Sequence, residues 1–102
     1  MAPRLLESRE DFLARLQQAA RLGKKEVRFG AHHFSHAACL EGATWRVRRL
    51  VTPRAKAEAF LKQHGRFMPE DNEALAEPAD VVLEAPTLGA LVEALRRGPW
   101  PL

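Results

Sequence analysis

The chain has 102 residues, 46% of them apolar, and a formal net charge of +3. This length fits one domain and is too short for two independent cores; no apolar run approaches the ~20 residues of a bilayer span. A single cysteine, Cys39, excludes an internal disulfide.

The expectation is one α+β domain over residues 1–102, with short flexible ends at 1–6 and 99–102. The N-terminal residues lack the pattern of an export signal, so a reducing, cytoplasmic setting is expected. Arginine outnumbers lysine 12 to 4 and Asn72 is the sole asparagine, a composition that fits a GC-rich, thermophilic source. Charge is strongly polarised: residues 1–66 carry +8, residues 67–95 carry −7, and Arg96 and Arg97 return +2. Such a division either draws an anionic partner to the first part of the chain, lets neighbouring copies attract one another, or is neutralised within the fold.

Ser8 opens a first helix as its cap, with Asp11 three residues on. Phe12, Leu13, Leu16, Ala19 and Ala20 form its apolar stripe, and Gly23 ends it. From Lys24 to Val51 the period falls to two. A two-residue loop at Gly30 and Ala31 pairs Val27 with Phe34; another at Glu41 and Gly42 pairs Leu40 with Ala43 and Ala38 with Trp45. Both registers put Val27, Phe29, Phe34, Ala38, Leu40, Trp45 and Val47 on one face of a three-stranded antiparallel meander. Glu26, Arg28, His33, Ser35, Ala37, Cys39, Thr44, Arg46 and Arg48 lie on the other.

Thr52 and Pro53 start a second helix, with Ala57, Phe60, Leu61 and His64 on one side and Gly65 at its end. An acidic stretch follows, with a short helix over 69–76. Residues 79–85, centred on Val81, Val82 and Leu83, are apolar on both parities and read as a fourth strand with both faces at least partly covered. A crossover through the second helix sets that strand parallel to the first or the third. Thr87 caps a last helix carrying Leu88, Leu91, Val92 and Leu95, which Gly98 and Pro99 stop. The order is α-β-β-β-α-β-α, with helices packed mainly on the Trp45 face.

Chemistry-bearing residues are few. His32 and His36 lie roughly 13 Å apart along a strand, too far for one zinc ion. His36 falls on the apolar face and His33 on the opposite one. Cys39 has no histidine base on its own face nearer than roughly 20 Å. Ser35 sits in a predicted row with Glu26 and Arg48, which suits an ion pair bridged by a hydroxyl better than serine catalysis. No catalytic residue, metal site or cofactor is assigned.

Two functional candidates remain. Arg28, Arg46 and Arg48 share a basic sheet face that Lys24 can join, and Arg54 begins the following helix; together they suit nucleic-acid phosphates, although the aromatics that stack bases fall on the other side. Ala37, Cys39, Val82 and Trp100 suggest a smooth apolar contact for self-association, unless the acidic excursion covers that face within one chain. The reading from sequence is a non-catalytic, homo-oligomeric interaction or accessory module, with nucleic-acid binding as the alternative and no membrane partner.

Overall fold

The computed structural model describes residues 7–30 and 34–100. His32 and His33 therefore lie outside the described residues, as do the termini at 1–6 and 101–102. Among those described, four helices and one four-stranded sheet form an α+β fold: α1 (Arg9–Arg21), β1 (Glu26–Phe29), β2 (His36–Glu41), β3 (Thr44–Val51), α2 (Arg54–His64), α3 (Pro69–Leu75), β4 (Glu77–Ala85) and α4 (Leu88–Arg97). The sheet is antiparallel throughout, in the order β1-β2-β3-β4.

Local chemistry accounts for the helix starts of the two core helices. Ser8 Oγ accepts from Asp11 N at 3.2 Å, and Thr87 Oγ1 accepts from Ala90 N at 3.1 Å. Each satisfies an amide that the first helical turn leaves without a carbonyl partner. These helices lay Phe12, Leu13 and Leu16 of α1, and Leu91, Val92 and Leu95 of α4, over Val27, Phe29, Ala38, Trp45 and Val47 of the sheet.

Both hairpins differ in register from the sequence expectation, by an even number of residues. Val27 pairs with Ala38 rather than Phe34, and Leu40 pairs with Trp45 rather than Ala43. An even slip preserves every facing, so the division of the sheet into a core face and an open face survives. The second turn sits one residue later than expected. Gly42, at φ 65°, takes its first central position, as a type II′ turn requires. The first connection is longer than a two-residue loop, and Phe34 lies in it at φ 71° rather than in a strand.

The fourth strand is antiparallel to β3, not parallel to it or to β1. Thus α2 is no crossover; α2 and α3 are an excursion between two paired strands. β4 is only partly covered, with Val81 and Val82 43% and 49% exposed. Its pairing is irregular at two places, leaving Val82 as an extra residue opposite the Val47 and Arg48 step. Such bulges, together with Pro78, blunt an edge strand against adding a further strand.

The second helix differs most from its neighbours. Pro53 rather than Thr52 holds its cap position, no side chain caps it, its first turn carries no acid, and none of its residues is buried. Phe60 packs instead within the excursion, against His64 at 4.2 Å and edge-on to Phe67 at 5.8 Å between ring centroids. Trp100 is docked on the core. Its ring stacks on Phe12 and Phe29, and Nε1 donates to Glu7 O at 3.0 Å.

Candidate functional site

The open face of the sheet carries three arginines, Arg28 on β1 and Arg46 and Arg48 on β3 with β2 between them, each directed by strand alternation away from the core. Arg48 grips Glu41 in a two-pronged pair, Nε to Oε2 at 2.6 Å and Nη2 to Oε1 at 2.8 Å, and donates from Nη1 to Ala79 O at 2.7 Å. Arg46 bridges Glu84 at 2.7 Å and Glu41 at 3.3 Å. Arg28 pairs with Glu26 at 3.0 Å and donates to the carbonyls of Glu73 and Ala76. The bonds from Arg48, with those from Arg46 added, hold the Glu41 carboxyl down at about 2, against an ordinary 4.5. Reciprocally, Arg48 and Arg46 are pushed further up, mainly by Glu41 and Glu84 respectively.

This network occupies the groups that a phosphate would need. Forked guanidinium bonds to carboxylates are the same bonds, in geometry and donors, that Arg offers a nucleic-acid backbone. The fold does not bring the other two basic candidates to this face. Lys24 precedes β1 at one end of the sheet, while Arg54 follows β3 at the other, so a strand of eight residues, about 23 Å at 3.3 Å per step, stands between them. Arg54 is paired with Glu58 at 2.9 Å on the outside of α2.

The contact candidates divide. Ala37 and Cys39 are buried within the chain, because β2 is covered on both sides over His36, Ala37, Ala38 and Cys39. The carbonyl bonds from Arg28 draw the end of α3 across this face, and Ala76 is buried with it. Those two positions are therefore not free surface, and Trp100 is engaged by the core. Val82 remains exposed, and sequence reasoning missed its companions. Val51, Leu61, Met68 and Val81 are also exposed, and all of them come from the stretch between the end of β3 and the middle of β4.

Among the described residues, Ser35, His36 and Cys39 are engaged within the fold. Ser35 Oγ and His36 Nδ1 are hydrogen-bonded at 2.7 Å, and the imidazole stacks on Phe29. Burial, then the charge of Arg49, pushes His36 below its ordinary 6.5. Burial first, and then Glu26 and Glu41, push the Cys39 thiol up, away from the thiolate a nucleophile requires. The expected row of Glu26, Ser35 and Arg48 is replaced by Glu26, Cys39, Arg46 and Glu84.

Glu41 is the pivot that the sequence reading lost by assigning it to a turn. Moving that turn by one residue restores Glu41 to the parity of Arg46 and Arg48. Among the described residues, no group of three or more His, Cys, Asp or Glu is placed to hold a metal ion, and no helix is long and apolar enough to cross a membrane. Comparison with known proteins finds no matching family model, no matching curated protein and no matching solved structure.

Proposed function

We propose that this protein is a non-catalytic, self-associating interaction or accessory module of the cytoplasm. The observation that carries the reading is α2. An 11-residue helix with no buried residue and no side-chain cap presents Ala57, Leu61 and His64 at i, i+4 and i+7. Helices of fewer than ~12–15 residues are marginal in water and draw their stability from packing of an apolar face. Arg54 and Lys56 in the first turn add an unfavourable interaction with the helix dipole. Within the described residues α2 finds little such packing, so a second molecule is the natural source of it.

Two further features support a contact role over catalysis. The polar groups of the open face are bonded to one another rather than converging on a reacting position. The buried free thiol of Cys39 suits a reducing compartment. Size-exclusion chromatography with light scattering at micromolar concentration tests the reading. A mass at a multiple of 11.4 kDa is expected; a monomer throughout that range overturns it.

A further inference from the structure

Resting on that reading, we infer that the partner is a second copy of this chain, and that α2 of each copy docks against β4 of the other about a two-fold axis. Charge selects this occupant. Residues 52–66, which hold α2 and its flanks, carry Arg54, Lys56, Lys62 and Arg66 against Glu58, a net +3; β4 carries Glu77, Asp80 and Glu84 and no base, a net −3. A two-fold axis converts this polarity into two identical, mutually satisfying contacts, as an isologous interface demands.

The apolar surfaces match in the same way. Leu61 and Val82 are each about half exposed, at 48% and 49%, and both lie in the elements of opposite charge. Within one chain the two elements are tied through an ion pair between Lys56 and Glu77, at the first turn of α2 and the start of β4. Lys62 and Arg66 at the far end of the helix take part in no ion pair among the described residues. Asp80 and Glu84 are paired with Arg49 and Arg46, yet their side chains stay more than half exposed, so each carboxylate keeps room for another donor. Strand addition is the less fitting alternative for the same edge. The two irregularities in β4 break its row of donors and acceptors, and Pro78 has no amide to offer. Contact is therefore made by side chains, Leu61 against Val81 and Val82, with Lys62 and Arg66 beside Glu84.

The test compares the intact chain with Leu61→Glu, Val82→Glu and, as a control, Leu22→Glu, whose leucine is 67% exposed on another part of the surface. Light scattering is expected to give twice 11.4 kDa for the intact chain and for Leu22→Glu, and the monomer mass for the other two. Because a charged variant can fail by misfolding, a second measurement uses a Cys39→Ser background: chains with Leu61→Cys are mixed with chains with Val82→Cys under mild oxidation. Rapid formation of the mixed disulfide dimer, in excess over either like-with-like dimer, is expected. An oligomer that survives both glutamate substitutions and yields no mixed disulfide overturns this docking and leaves self-association standing. A monomeric intact chain overturns both.

Discussion

Trp100 lies nearly parallel to Phe29, with ring centroids 5.6 Å apart and planes 10° apart. Phe12 is stacked on both, 4.1 Å from Phe29 and 5.5 Å from Trp100. Trp100 thus closes the edge of the core formed by α1 and β1. Two bonds from Arg9 to the carbonyls of Arg96 and Gly98 hold the chain in position for it.

That geometry predicts the cost of truncation. Trp100→Ala removes two ring stacks and the indole bond to Glu7 O, and a half-buried aromatic of this kind contributes about 2–4 kcal/mol. Urea denaturation is expected to show a loss of that size with the fold retained. A change below about 0.5 kcal/mol would mean that the tail is not docked in solution.

Acid should weaken the open face and the buried histidine in different windows. Glu41 has its carboxyl held at about 2 in the folded chain against 4.5 when free, so the unfolded chain binds the extra proton first. Its contribution is complete above 4.5 and disappears as the pH falls towards 2. For His36 the folded value lies below 6.5, so protonation again favours the unfolded chain, and its contribution is complete above 6.5 and declines below it. Thermal melts of the intact chain between pH 2 and 5 should fall more steeply than those of Glu41→Gln, which starts lower and changes less. Parallel slopes for the two proteins would refute the assignment to Glu41.

The open-face arginines invite a related comparison. Since Arg46 and Arg48 are engaged by Glu41 and Glu84, Arg48→Ala and Arg46→Ala should lower the melting temperature and the cooperativity of the sheet. They should leave unchanged any weak, salt-sensitive association with single-stranded or duplex nucleic acid. A drop in affinity together with a flatter salt dependence would instead place phosphates on these arginines.

The sheet was more legible than its surroundings because side-chain parity is insensitive to even slips. Pairing Val27 with Phe34 or with Ala38 sends Val27 to the same side, so the core face was readable although neither turn was located correctly. Parity says nothing about strand direction. Whether β4 runs with or against β3 depends on whether α2 crosses the sheet, and the stripe of Ala57, Phe60, Leu61 and His64 looks the same for a packed helix and an unpartnered one. Likewise Ala37 and Cys39 read as a smooth patch, because nothing local to β2 reveals that Arg28 will draw the end of α3 over them.

Cys39 offers a direct probe of that covering. Its thiol is buried, donates to Ala37 O at 3.8 Å, and is shifted upward by burial and by Glu26 and Glu41. Reaction with a disulfide reagent at pH 7.5 should therefore be at least 100-fold slower in the native chain than in denaturant. Arg28→Ala, which releases the carbonyls of Glu73 and Ala76, should raise the native rate by an order of magnitude. A native thiol that reacts as fast as the denatured one would show the face to be open.

The connection between β1 and β2 is where one methyl group should do most damage. Gly30 has φ +106°, and a Cβ there would lie 2.0 Å from Ser35 Oγ and 3.2 Å from both Ser35 Cβ and Ser35 N. The serine cannot yield without consequence, because its amide donates to Phe29 O at 3.0 Å and its hydroxyl is bonded to buried His36. Gly30→Ala therefore combines backbone strain of about 1–3 kcal/mol with loss of a hydrogen bond to a buried ring, a further ~1–2 kcal/mol. Gly42 is the matched comparison: its φ is +65° and nothing lies within 4 Å of an added Cβ, so Gly42→Ala bears only the conformational penalty, about 1–2 kcal/mol. Urea denaturation should rank Gly30→Ala as the more damaging by at least ~1 kcal/mol, and the His36 ring resonances should shift in that variant alone. Equal losses at the two positions would mean that the Ser35 and His36 pair does not depend on the close approach of Gly30.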